Sequence, residues 1–382
     1  MEATKKILMI SYTSFIQKFY QTLPHQISRQ SGWEVTVLVP PYWKELWSGG
    51  KKYLEKSEDE LFDLVTGNIL FTGNLHLAVF RSQLKRLLKK IRPDIIDLED
   101  EPFNLGSFQT IFYRNRYSSQ SKVILHASQH QYKNYPVPFN FIEKYVLKQT
   151  DAILARNEMA IDVLRKKGYR GILKKITHGV NTDAFRPRDL PELCRQINPE
   201  NKPLVGYVGA LEIHKGLHHL IQAAQGLHCK LLFVGDGSYK KELEDLVYQY
   251  RVDAQFVPSA THEEVAQFMN CMDIFVLPSL TMPNWVEKFG RVLIEAMSSG
   301  IAILGSTSGE IPNVIGDTGL VFKEGNIADL QKKLNYLILN KKKRNEMGWK
   351  GRKRVQASYS WKHIADETIL AYQEVLDKKT VS

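Results

Sequence analysis

The sequence predicts an α/β protein built from two doubly wound halves, on three observations. Short β-rich runs alternate with helix-period segments along the chain, the runs are apolar throughout rather than at every second residue, and the pattern restarts beyond a proline-containing stretch near residue 190. Runs without alternation are strands buried on both faces, the mark of parallel sheets covered by helices. At about 150 residues per domain, a chain of 382 residues makes two domains, or three, each large enough to bury a core.

In the first half the strands are expected at 6–11, 34–39, 95–98, 123–126, 152–155 and 175–178. Between them, Leu84, Leu87, Leu88 and Ile91 recur at i, i+3, i+4, i+7 and form one apolar helical stripe, which Pro93 ends. Residues 181–202 contain Pro187, Pro191 and Pro199 among charges and read as a linker, assigned to 186–202. The second half opens with a strand within 203–209, then a helix at 217–227. Further strands follow at 229–234, 255–257, 274–277 and 302–305, with a helix at 293–298 ended by Gly300. Gly235-Asp-Gly237 reads as a turn, since it lacks the full G-x-G-x-x-G spacing. The tail, 326–379, is helical; its Lys341–Arg344 run reads as a solvated face. The expected domains are therefore 1–185 and 203–360, each Rossmann-like and facing the other across a cleft.

Composition narrows the function classes. Charged residues make up 24%, which argues against wholesale disorder, and no apolar run reaches the roughly 20 residues of a membrane span. The N-terminal MEATKKILMISYTSF reads as a first strand and not as a signal peptide. Cys194, Cys229 and Cys271 are odd in number and far apart, which argues against a disulfide framework or a zinc site and for a cytoplasmic setting. The net charge is +11, and it is uneven: residues 1–190 hold 29 Lys+Arg against 19 Asp+Glu, while the rest of the chain is nearly balanced. One carrier is the helix with the apolar stripe, where Arg81, Lys85, Arg86, Lys89 and Lys90 surround the leucines. Arg114, Arg116 and Lys122 are expected to add to it, with Phe108, Phe112 and Tyr113 interleaved. Such a face suits anionic lipid head groups, at about 1 kcal/mol per cation; it is equally the outer face of an ordinary core-facing helix. No nucleic-acid recognition motif accompanies the charge.

Two segments carry residues suited to chemistry. In 278–312, Glu287 lies on a loop, Phe289 and Gly290 lead into a helix, and Glu295 follows about two helical turns after Glu287. A carboxylate accepts hydrogen bonds from vicinal hydroxyls, and a helix start beside Gly290 and Arg291 offers backbone N–H groups to an anion. The same spacing also describes a solvent-facing helix residue and a turn cap. In 209–216, Gly209 leaves a strand and Lys215-Gly216 opens a helix; a lysine there contacts a diphosphate and neutralises a leaving group, or is a surface lysine at a cap.

These two segments, in this order in the second half, resemble glycosyltransferase family 4. The resemblance also runs through Asp151-Ala-Ile-Leu-Ala, His178-Gly-Val-Asn181 and Asp273-Ile-Phe-Val-Leu-Pro-Ser279, and covers most of 145–322. It implies the GT-B fold and a retaining, metal-independent hexosyltransferase without cofactor, whose co-substrate is a nucleotide-diphosphate sugar. Residues 203–360 would be the donor domain, 1–185 the acceptor domain, and a C-terminal helix near 361–380 would cross back to the latter. Carried over residue by residue, Glu287 would contact the donor sugar, Glu295 the ribose and Lys215 the diphosphate. Amides around Phe289, Gly290 and Arg291 would cradle phosphate and sugar, and the base would stack near Val257.

Two departures stand out. Ala210 occupies the place where relatives have an arginine after the first glycine, so one phosphate clamp is missing unless Arg291 replaces it. Ser11-Tyr-Thr-Ser-Phe15 stands where a Gly-Gly turn is usual, on the acceptor side. Among histidines, His126 at a strand end matches a family position near the reacting sugar, with a satisfied loop histidine as the other reading, and His130 is a weaker counterpart. His214, His218, His219 and His262 read as surface or helix residues, and no pair has metal-site company. The expected function is transfer of a sugar to a glycan or lipid-linked acceptor in polysaccharide or glycoconjugate biosynthesis, in the cytoplasm and peripherally at the inner membrane face. The alternatives are a catalytically weakened GT-B scaffold that binds polyanions or membranes, and a nucleotide-sugar epimerase of the same fold.

Overall fold

The structure is a computed structural model that describes residues 4–44, 50–56 and 61–378. The chain divides into two units, residues 1–177 with 361–382 and residues 178–360. The first unit is built on a seven-stranded sheet in the order Ile172–Lys175, Ala152–Ala155, Lys122–Ala127, Ile95–Glu99, Lys6–Ser11, Glu34–Val39, Asp63–Thr66, with every pair parallel. Its central strands are apolar on both faces because helices cover both: Ile7, Leu8, Met9 and Ile10 are all fully buried. Chain order reverses between Lys6–Ser11 and Ile95–Glu99, so the loops after these two strands leave from a topological switch point. Helix Trp361–Asp377 belongs to this unit, with Trp361, Ile364 and Tyr372 packed in one cluster with Ile7, Met9 and Val37.

The second unit carries a six-stranded parallel sheet, ordered Ala254–Val257, Lys230–Val234, Leu204–Val208, Ile274–Leu277, Ala302–Ser306, Leu320–Phe322. Its switch point lies between Leu204–Val208 and Ile274–Leu277.

Several elements differ from the sequence reading. The strand expected at 175–178 is Ile172–Lys175; beyond it the Ile176 amide still donates to the Ala155 carbonyl at 3.0 Å, while the Ile176 and Thr177 carbonyls accept from the Arg156 guanidinium at 3.3 and 3.2 Å. The segment expected as a linker, 186–202, contains helix Pro191–Ile197 and lies within the second unit, because proline is well tolerated in the first turn of a helix. That helix also overturns the cysteine reading: Cys194 is disulfide-bonded to Cys271 of helix His262–Cys271, with Cα atoms 5.1 Å apart, and Cys229 is the free, buried thiol. A sequence separation of 77 hid a pair that the fold sets side by side. The helical tail is three helices, Ile327–Leu339, Lys341–Ser358 and Trp361–Asp377; Lys379, at its expected end, lies outside the described residues. Arg344 is not on a solvated face: it is buried, donates to the Leu337 and Ile338 carbonyls, and pairs with Asp273 at 3.1 Å.

Candidate functional site

The two loops at the second unit's switch point meet over one cavity of about 360 Å³, lined by Lys215, His262, Glu287, Arg291 and Glu295 among others. Each side chain is placed by a local device. After strand Leu204–Val208 the chain turns at Gly209 and makes a short 3-10 turn, Ile213–Lys215, closed by Gly216 at φ +67°. A Cβ on Gly216 would lie 2.1 Å from the Pro278 carbonyl oxygen, and the Leu280 amide donates to the His214 carbonyl at 2.8 Å. The lysine turn is thereby fastened to the end of the neighbouring strand. Gly235-Asp-Gly237 is more than a turn: a Cβ on Gly235 would meet the Gly209 carbonyl oxygen at 2.0 Å, so two backbones cross here with no room for a side chain.

Glu287 follows strand Ile274–Leu277, and its carbonyl accepts from the Glu310 amide at 3.0 Å. Its carboxylate receives Lys215 Nζ at 2.8 Å and the Ser279 hydroxyl at 3.3 Å. The same ammonium stands 4.6 Å from the Trp285 ring centroid, a cation–π distance. Glu295 lies on helix Arg291–Ser298, whose N-cap is Gly290 at φ +75°. The first amides of such a helix have no intrahelical acceptor. Glu295 is buried, and burial pushes its carboxyl above the usual carboxylate range against the opposing pull of Arg291, whose Nε is 3.3 Å away. His262 Nε2 stands 3.7 Å from the same carboxylate. Burial, with help from Lys215, lowers the His214 imidazole; its ring packs on Trp285 at 4.1 Å.

Gly209, Lys215, Glu287, Gly290, Arg291 and Glu295 thus come together, as do Ala210 and Tyr207, whose hydroxyl donates to the Ala210 carbonyl at 2.9 Å. Phe289 does not line the cavity with its ring, which is buried against His178 and Tyr359. Val257 lies outside the lining: it ends strand Ala254–Val257, and its carbonyl is taken by the Gly235 amide at 2.9 Å. His262, read in the sequence as a surface or helix residue, is the exposed first residue of helix His262–Cys271 and also lines the cavity. The sequence carries its signal: Thr261-His-Glu-Glu264 is a capping box directly after a strand.

The first-unit residues are placed differently. His126 is buried, its Nε2 2.8 Å from Asp97 Oδ1, and the Tyr372 hydroxyl donates to the other Asp97 oxygen. This buried triad ties helix Trp361–Asp377 to the sheet, and His126 Nδ1 has no hydrogen-bond partner. Arg81, Lys85, Arg86, Lys89 and Lys90 are exposed, on or beside helix Gln83–Ile91, which buries Leu84, Leu87 and Leu88. Lys85 and Lys89 lie over the Tyr117 ring at 5.3 and 4.8 Å, and Phe112 on helix Leu105–Tyr117 is exposed. Arg114 turns inward and donates to the Gln149 carbonyl at 2.8 Å. Among the described residues, no group of three or more His, Cys, Asp or Glu is arranged to hold a metal ion, and no helix is long and apolar enough to cross a membrane.

Residues 192–354 match the family model described as glycosyl transferases group 1. A sulfoquinovosyl transferase of Arabidopsis thaliana is 32% identical over 194 residues, which are 48% of this chain; the chain spans only 36% of that relative's length. Among solved structures, sucrose-phosphate synthase from Thermosynechococcus elongatus superposes with a TM-score of 0.72 at 20% identity, covering 97% of this chain and 99% of that one. An Anabaena protein solved with UDP and glucose gives 0.68 at 15% identity, covering 97% and 100%. The fold is GT-B.

Proposed function

We propose, from the premise that residues 192–354 belong to the glycosyl transferases group 1 family, that this protein is a retaining glycosyltransferase that moves a sugar from a nucleotide-diphosphate sugar to a glycan or lipid-linked acceptor in polysaccharide or glycoconjugate biosynthesis. One observation carries the reading: a lysine, an arginine, two carboxylates and a glycine-led helix start converge on a single cavity at the switch point of the second sheet. Lys215 and the amides at Arg291 meet the diphosphate, and their fixed positive potential stabilises the charge that builds on it as the glycosidic bond breaks. Glu287 accepts from hydroxyls of the sugar and Glu295 from those of the ribose. Lys215 and Arg291 supply at the phosphates the positive charge that a metal ion would otherwise bring, which supports metal-independent transfer. No serine–histidine–acid set is needed, since in a retaining transfer of this type the departing phosphate takes the acceptor's proton. The structure of the Anabaena protein with UDP and glucose makes UDP-sugars the first donors to try.

Calorimetry with UDP-, GDP- and ADP-sugars tests the reading, and at least one is expected to bind and to be consumed in transfer. No binding by any of them would reject it. The anomeric configuration of the product, read by NMR, decides retention, and inversion would remove that part.

The exposed cations of helix Gln83–Ile91 beside Tyr117 and Phe112 support an acceptor met at an anionic membrane face. The protein is expected to float with vesicles that contain anionic lipid and to be released by salt. Equal flotation on neutral vesicles would contradict this.

A further inference from the structure

We infer that His262 reads the donor nucleotide's ribose jointly with Glu295, and that this pair makes the site discriminate ribonucleotides from deoxyribonucleotides. The inference rests on the donor-site reading above. Three features hold the imidazole in place. Thr261 caps helix His262–Cys271 through a full capping box, in which the Glu264 amide donates to the Thr261 hydroxyl at 3.3 Å and the Thr261 amide to the Glu264 carboxylate at 2.8 Å. The first residue of the helix is therefore fixed in backbone. Its ring stands edge-on to Phe185, which is fully buried, at 5.1 Å. The far end of the same helix is tied by Cys271 to Cys194.

His262 Nε2 and Glu295 Oε1 are 3.7 Å apart, too far for a direct hydrogen bond. A hydroxyl oxygen set to one side of the line joining them can lie about 2.8 Å from both. It would donate its proton to the carboxylate and accept the imidazole N–H, and a hydroxyl is a group that can do both. A neutral imidazole protonated on Nε2 suffices, so the contact needs no charge on the ring. Arg291, at 3.3 Å from the same carboxylate oxygen, holds Glu295 from the other side, and Lys215 and Glu287 complete the charged lining. A deoxynucleotide leaves the buried carboxylate without that donor, and a polar site rejects an analogue lacking a hydroxyl in this way.

The test uses the intact protein. Titration with UDP, GDP and ADP selects the tightest of the three, which is then compared with its 2′-deoxy and 3′-deoxy counterparts on wild type, His262→Ala and His262→Gln. Wild type is expected to prefer the ribonucleotide over at least one deoxy form by about tenfold, and His262→Ala to shrink that ratio about fivefold. Affinity for inorganic pyrophosphate should stay unchanged, and His262→Gln, which keeps an N–H donor, should recover part of the ratio. An unchanged ratio in His262→Ala overturns the inference and leaves the donor site standing, even if that variant is less stable. Failure of wild type to bind any of the three nucleotides overturns both.

Discussion

Replacing Lys215 by alanine is expected to lower transfer at least tenfold, about 1.4 kcal/mol or more of transition-state stabilisation. It should also destabilise the fold, and the two effects can be separated. The ammonium is 2.8 Å from Glu287 Oε2, with side-chain exposures of 17% and 12%. Removing it leaves a largely buried carboxylate with the Ser279 hydroxyl at 3.3 Å, at a cost of about 1–3 kcal/mol. The double variant Lys215→Met with Glu287→Gln removes both charges and should recover most of that stability. It should not recover transfer, because the diphosphate then meets no cation from this turn. Thermal melts and kcat/KM measured around the four-membered cycle decide the matter. If transfer returns together with stability, Lys215 serves only to neutralise Glu287. If the single variant transfers normally, its placement on the diphosphate is wrong.

The ease with which some parts of this fold are read from sequence has a physical basis. Strands Lys6–Ser11, Glu34–Val39, Ala152–Ala155 and Ile274–Leu277 are recognisable to the residue, since each is apolar over most of its length and buried on both faces. Lys215, Glu287 and Glu295 are legible as a set because all three depend on local punctuation, a Gly turn or a helix start, at the ends of such strands. What escapes is whatever depends on distant partners. Residues 176–178 look like a strand, but a side chain twenty residues earlier, Arg156, takes the Ile176 carbonyl. Cys194 and Cys271 meet through helix packing. His126 sits at the expected strand end, yet it turns to Asp97 and Tyr372, and a tyrosine more than two hundred residues away cannot be read from local pattern. The fold also buries the carboxylates of Asp97 and Asp100 almost completely.

Asp100 yields the second large effect, a stability that falls as pH rises. It leaves the first unit's switch point after strand Ile95–Glu99, and it is 9% exposed. Burial raises its carboxyl from 3.8 to about 7, against hydrogen bonds from Asn104, Ser107 and the Glu101 amide that favour the charged form. Those donors are the start of helix Leu105–Tyr117: Ser107 Oγ donates to Oδ2 at 3.0 Å, and the Asn104 amide donates to Oδ1. Tyr12 closes the pocket from the first loop, and its hydroxyl is buried above Gly106, where a Cβ would lie 2.6 Å away. Because the folded value lies above the unfolded one, the native state holds this proton more tightly. Its contribution is complete below about pH 4 and is lost as pH rises through about 7. The distance from 3.8 to about 7 corresponds to at most about 4 kcal/mol. Asp100→Asn keeps the shape and an acceptor for the Glu101 amide but cannot ionise. Relative to this variant, wild type should therefore lose stability between pH 5 and 8 in denaturant titrations, with the steepest part below pH 7. A wild-type curve parallel to that of Asp100→Asn across this range would show that the carboxylate stays charged throughout, held by its three donors, and that burial does not dominate at this position.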